Sequence, residues 1–386
     1  MEFAEPVRRR LRLPLVLGLV LLAAAAGPAA AQGLKLPPSG ENQRATVSQE
    51  IGPVTVTIDY SSPRVVLHGN DRRGKIWGQL VPYGLSDLGF NGCTACPWRA
   101  GANMNTTFAV DHGVEVEGKP LAAGTYGLHM IPGETEWTVI FSREHGAWGS
   151  YWYDPKDDAL RVTVKPARGP YHEWLTYEFT DREPEKATVA LKWEELEVPI
   201  RIAVPDAKAL WVASLKEQLK TDLGFAASNW RIAADYCLNN KVDLPLALAW
   251  AETAASSPAI GEATFQNLST LWRAQLANGK SAEAAKTLDR ALSSPSATPV
   301  AIHMLARQLQ AEGRTDEAVR IYKLNAARFP GQWPVNVGLL RAYAATGDRK
   351  KAIEYGKLAI AQAPDAENRK NLQNLVTLLE QGKGIN

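Results

Sequence analysis

Apolar and polar side chains alternate in single steps through the first half of the chain and recur in three- and four-residue steps through the second. Val54-Thr55-Val56-Thr57-Ile58-Asp59-Tyr60 is the clearest case of the first kind. Every second residue there is apolar, so a strand buries one face and wets the other. The same reading predicts strands at 106–110, 114–116, 126–131, 137–141, 160–164, 175–179, 188–193 and 198–204. Turn residues part them, as at Glu117-Gly118-Lys119-Pro120 and Ile131-Pro132-Gly133-Glu134. Short strands with regular turn signals predict an antiparallel β-sandwich-like domain over 45–205. The Pro-, Gly- and polar-rich stretch at 32–44 is expected to be a flexible leader.

After Pro205 the period becomes helical, with Gly and Pro at the ends of the apolar segments. Gly279, Gly313 and Gly347 stand 34 residues apart. In that register Leu271, Leu305 and Leu339 share a column in the first helix of each pair, and Ala284, Ala318 and Ala352 share one in the second. Ala291 and Ala359 form another column that Asn325 interrupts; Pro330 and Pro364 close two units, with Pro295 one place early in the other. Small residues let paired helices approach, leucines fill the layer between neighbours, and each pair needs neighbours or caps to cover its apolar face. The columns resemble the tetratricopeptide repeat family. The fold class expected is therefore multidomain, β plus α, an antiparallel β-sandwich-like domain followed by an α-helical tetratricopeptide-like solenoid. Connecting helices and a degenerate pair are expected over 206–264, three repeats over 265–366, and a capping helix with a tail over 367–386.

Two places after the leucine column stand Arg273, Arg307 and Arg341, also 34 apart. The resemblance implies that this column faces the concave groove, with His303 and Gln266 on the same side. Guanidinium forks suit carboxylates, so the partner expected is a protein or peptide with acidic or carboxylate features. The competing reading pairs these arginines with acidic residues of adjacent helices, such as Asp289 or Glu317.

The β half carries a second likeness. Asp59-Tyr60-Ser61-Ser62-Pro63-Arg64, Lys75-Ile76-Trp77-Gly78, Leu80-Val81-Pro82-Tyr83-Gly84, Trp98-Arg99-Ala100-Gly101-Ala102-Asn103, Ala123-Gly124-Thr125-Tyr126-Gly127-Leu128 and Glu136-Trp137-Thr138-Val139-Ile140-Phe141 resemble the bacterial domain-of-unknown-function 2911 family over about residues 45–200. The resemblance implies an exported β-rich domain, sometimes joined to helical repeats, with no activity to carry over. The segment 85–97 is longer than the corresponding loop of shorter members.

Candidate chemistry is sparse. Arg64, Trp77, Tyr83, Arg99, Asn103, His129 and Trp148 form a possible ligand face for stacking on sugar rings or a small apolar ligand. The same tryptophans also suit a two-layer core, and the alternation around His129 fits an open sheet face. Cys93 and Cys96 are expected to form a local disulfide. Redox chemistry requires a helix N-terminus or similar device to lower a thiol pKa, and c-type haem attachment requires His where Pro97 stands. His68, His112, His129, His145 and His172, with Glu173, show no ligand spacing, so neither metal nor cofactor is expected. No Gly-x-Ser-x-Gly elbow, His-Glu-x-x-His helix or phosphate loop occurs. The chain therefore reads as a non-catalytic adaptor. The alternative is a carbohydrate- or small-ligand-binding module, or a hydrolase, on the aromatic face.

Arg8-Arg9-Arg10-Leu11-Arg12, the apolar run 13–26 and Ala29-Ala30-Ala31 follow the order of a secretory signal peptide over 1–31, which predicts a periplasmic or secreted protein with no transmembrane segment after cleavage. Removing that leader takes four arginines and two glutamates from the 43 basic and 41 acidic residues, leaving 39 of each sign. A neutral protein has no global electrostatic footprint for nucleic acid. Nothing in the pattern specifies an oligomeric state.

Overall fold

The computed structural model describes residues 41–91 and 93–385. The expected signal peptide at 1–31, and the leader up to residue 40, lie outside the described residues. Twelve strands follow among the described residues: β1 (Gln43–Ile51), β2 (Val54–Ser62), β3 (Val66–Leu67), β4 (Asn70–Asp71), β5 (Thr106–Val110), β6 (Val114–Val116), β7 (Lys119–Leu121), β8 (Gly124–Ile131), β9 (Trp137–Ser142), β10 (Asp158–Val164), β11 (Ala167–Glu183) and β12 (Lys186–Ala203). They form a six-stranded sheet ordered β1-β2-β5-β8-β9-β10, a four-stranded sheet ordered β11-β12-β6-β7, and a small β3-β4 hairpin. Ile58 of β2, Phe108 of β5, Leu128 of β8 and Phe141 of β9 share one core with Tyr177 of β11 and Leu191 of β12. The two antiparallel sheets thus bury their alternating apolar positions against each other.

Two departures from expectation have backbone causes. Gln43 and Arg44, expected in the leader, open β1, which pairs with β2 from Gln43↔Ser62 to Ile51↔Val54. Its polar side chains stay largely exposed, so ladder hydrogen bonds rather than side-chain burial recruit this edge strand. The strands expected at 188–193 and 198–204 run together as β12, which passes through Glu194 at φ 56 with register irregularities on either side of His172↔Glu194. A β-bulge thus absorbs what reads in sequence as a turn.

Ten helices follow among the described residues: α1 (Ala207–Gln218), α2 (Ala227–Asn240), α3 (Leu244–Ser256), α4 (Phe265–Ala277), α5 (Ser281–Ser293), α6 (Pro299–Ala311), α7 (Thr315–Arg328), α8 (Trp333–Ala345), α9 (Arg349–Gln362) and α10 (Ala366–Glu380). Gly279, Gly313 and Gly347 end α4, α6 and α8 at φ 75, 78 and 82. Gly279 N–H donates to Leu276 O at 3.0 Å and Lys280 N–H to Gln275 O at 2.9 Å; Gly313 and Arg314 repeat both bonds on Gln310 and Leu309. This is the Schellman C-cap, whose left-handed residue favours glycine. A Cβ at any of the three would meet nothing within 4 Å among the described residues, so conformation rather than space selects the residue. The Ala284, Ala318 and Ala352 column is buried, as are Leu271, Leu305 and Leu339. Asn325, the exception in the other alanine column, is 0% exposed, and its Nδ2 donates to Pro299 O at 2.9 Å.

Candidate functional site

The first helices of successive units, α2, α4 and α6, line a depression of about 530 Å³ along the repeats. Gln266, Arg273 and Arg307 all border it. The arginine column is not uniform, however. Arg273 donates from Nη1 to Asp235 Oδ1 at 3.1 Å and from Nη2 to Asn239 Oδ1 at 2.6 Å. Asp235 also takes Arg231 at 3.0 Å. The reading that pairs groove arginines with neighbouring acids thus applies to Arg273, but through Asp235 of the degenerate pair. Asp289 and Glu317, the acids expected, pair with Arg320 and Arg314 instead.

Arg307 is exposed and makes no hydrogen bond or ion pair among the described residues. One repeat on, Arg341 is 8% exposed and its Nε finds no partner among the described residues. Burial, then the charge of Arg307, lowers the Arg341 pKa from its ordinary value. His303 does not face the groove as expected. It is 7% exposed, its ring centre lies 5.5 Å from that of Tyr322, and its Nδ1 has no partner among the described residues. Gly338 permits this packing, because a Cβ there would come within 2.7 Å of Tyr322 and 3.3 Å of His303 Nδ1. Burial, Arg341 and Arg307 push the His303 pKa down to about 4, so the imidazole is neutral beside two guanidiniums. A glycine in a helix interior is a sequence signal for such close approach. Gly338 and Tyr322, like Asp235, are residues the repeat columns do not single out.

Alongside Arg307 on α6, Val300 and Met304 are 54% and 56% exposed. Their spacing of four and then three residues puts all three on one face of the helix.

In the β domain the residues of the expected ligand face do not gather. Trp77 sits half-buried in a cluster with Trp98, Trp137 and Trp193, with ring centres 5.1–5.8 Å from it. Arg64 pairs with Glu173 at 3.3 Å and lies over Trp174. Tyr83 and Trp148 are exposed, and Tyr83 folds its ring onto Gly78. His129 is buried rather than on an open sheet face, because the segment 143–153 covers β8 on the side away from the shared core. Its Nδ1 meets Ser150 Oγ at 2.9 Å, and burial followed by Arg99 pushes its pKa down to about 4. Asn103 (φ 59) turns its carbonyl to Arg99 Nη1 at 2.6 Å. Of the seven, only Arg99 lines the cavity beneath the 85–97 loop.

In that loop Cys93 and Cys96 are disulfide-bonded, and Ser86 and Cys96 exchange backbone hydrogen bonds at 2.9 and 2.8 Å. Cys237 is a free, buried thiol whose pKa burial raises to about 11. Among the described residues no group of three or more His, Cys, Asp or Glu side chains is arranged to hold a metal, and no helix is long and apolar enough to cross a membrane.

The chain is thus a two-sheet β domain continued by an α-solenoid of helix pairs. Residues 42–202 match the model of the family described as "Protein of unknown function (DUF2911)". Comparison with curated proteins finds no match. Among solved structures the chain is similar to YrrB, a TPR protein with an unusual peptide-binding site, at 20% identity over 44% of this chain and 85% of that one, with a TM-score of 0.28. It is similar to MamA at 18% identity, 42% and 88% coverage and a TM-score of 0.29. Pseudomonas aeruginosa PilF is similar at 18% identity, 44% and 81% coverage and a TM-score of 0.27.

Proposed function

We propose that the protein is an exported, non-catalytic adaptor that binds an acidic segment of a protein or peptide along the groove of its repeats. The observation that carries this reading is the pair Arg307 and Arg341, two neighbouring guanidiniums without a carboxylate partner among the described residues, where Arg231 and Arg273 share Asp235. An uncompensated pair of this kind favours an incoming anion, and a guanidinium fork suits a carboxylate. Val300 and Met304 add apolar contact on the same helix face, so the fitting segment carries an apolar residue beside its acid. Export, to the periplasm or the exterior, follows from the basic, apolar and small-residue order of residues 8–31. The Cys93–Cys96 bond suits an oxidising compartment.

The test is affinity capture from envelope extract, followed by fluorescence anisotropy with labelled peptides of the captured partner. Arg307→Ala is expected to weaken binding by about tenfold or more. Arg273→Ala, whose side chain Asp235 and Asn239 already occupy, is expected to change it little. Affinity falls as salt rises, because the contact is partly exposed. Unchanged binding in the triple variant Arg273→Ala, Arg307→Ala, Arg341→Ala sinks the groove as the working surface.

A further inference from the structure

The cavity beneath the 85–97 loop is the strongest feature that the groove leaves unused. Its volume is about 430 Å³, within the roughly 300–1,000 Å³ typical of small-molecule sites. Leu80, Val81, Leu88, Trp98 and Trp193 supply its apolar lining, and the two indoles stack with centres 6.4 Å apart and planes 14° from parallel.

Three charged residues border the cavity, and they are not equivalent. Arg72 is taken up by backbone, donating to Val65 O at 3.2 Å and to Arg64 O. Asp87 is exposed and accepts from Gly89 N–H at 2.8 Å. Arg99 donates once, to the Asn103 carbonyl, and lies 5.2 Å from the Tyr151 ring centre; no carboxylate among the described residues pairs with it. A second donor is left open nearby, since Trp193 borders the cavity, is 1% exposed, and its Nε1 has no partner among the described residues. Asn42, Ser86 and Ser150 add to the polar lining, Ser150 with its Oγ held on His129.

Donors without acceptors, set among flat apolar surfaces, define the missing complement: acceptor oxygens on a ring-bearing body. We propose that the β domain binds a small ring-bearing organic carboxylate in this cavity, with the carboxylate on Arg99 and the ring against Trp98. The Cys93–Cys96 bond and the Ser86–Cys96 backbone pair then have a role, because they fix the loop that supplies Ser86, Leu88 and Cys96 to the lining.

Isothermal titration calorimetry on the full chain tests this with phenylacetate and galacturonate as probes and phenylacetamide as the uncharged control. The two acids distinguish an aromatic from a sugar source of the same chemistry. At least one acid is expected to bind with a Kd below about 1 mM, and the amide not measurably. Arg99→Met is expected to weaken binding by at least about tenfold. Leu88→Trp, which fills the cavity without altering charge, is expected to abolish it. Should Arg99→Met fail to fold, the amide comparison and Leu88→Trp decide. No binding by either acid, equal binding of the amide, or binding that survives either substitution in a folded variant overturns the proposal.

Discussion

His129 and His303 are buried imidazoles in separate halves of the molecule, at 2% and 7% exposure. Both pKa values are pushed down to about 4, His129 by burial and then Arg99, His303 by burial and then Arg341 and Arg307. In the unfolded chain each returns to about 6.5. The folded state therefore binds fewer protons between those values. The contribution to stability is complete above about pH 6.5 and is lost as the pH falls toward 4. At pH 5 the loss amounts to roughly 2 kcal/mol for each histidine. Thermal melts at pH 7.5 and pH 5 are expected to show a large drop in Tm for the parent. His129→Asn and His303→Asn should each show a smaller drop, since the carboxylate contribution is common to all three. Equal drops would mean that neither imidazole is neutral in the fold. A finer check is NMR titration of His303 in Arg341→Met, whose pKa should rise because a nearby positive charge has gone.

At the scale of elements, residues chosen for their own backbone conformation are the ones a sequence exposes. Gly279, Gly313 and Gly347 are legible because a left-handed C-cap selects glycine wherever it occurs. Gly313→Ala is expected to destabilise the array by about 1–2 kcal/mol in chemical denaturation through conformation alone, since no atom of the described residues crowds the site. Residues chosen by a distant partner are not legible in this way. Asn325 looks like a fault in an alanine column, yet it is fully buried and bonds across to α6. Asn325→Ala restores the column but is expected to cost about 1–3 kcal/mol, through a lost buried hydrogen bond. A neutral or stabilising result would make the column the better guide. The same limit applies to Arg273. Its register is plain, but its partner Asp235 belongs to α2, where the 34-residue columns have decayed. β1 stays hidden because its ladder bonds are made by backbone, and His129 because the segment covering it has no pattern of its own.

At the scale of the molecule, the question is whether the β domain and the solenoid move independently, and α1 decides it. Ala207 lies in the β core with Leu210 packed against it, whereas Val212 and Leu219 lie in the helical core with Leu215 against it. One helix thus spends two faces on two cores, which is why its apolar residues do not fall on a single stripe. The connection into it is short and bonded: Val204 N–H donates to Glu185 O at 2.8 Å, and Ala207 N–H to Val204 O at 3.3 Å. The β1–β2 turn adds to the joint, since a Cβ on Gly52 would sit 3.3 Å from the Ala207 Cβ. Domains joined by small polar contacts usually shift against each other, but here the link is an extension of both interiors. Lys208 follows the joint directly and offers a readout. Trypsin must unwind the start of α1 to cut after Lys208, so cleavage there should be slow in the parent. In the double variant Ala207→Glu, Leu210→Glu, the two carboxylates cannot enter the β core without a partner. Cleavage after Lys208 is expected to accelerate by about tenfold or more while α4 to α10 stay protected, because opening the joint leaves the solenoid's own contacts intact. Rapid cleavage at Lys208 in the parent would show instead that α1 belongs to the solenoid alone, and that the groove and the β cavity sit on bodies free to reorient.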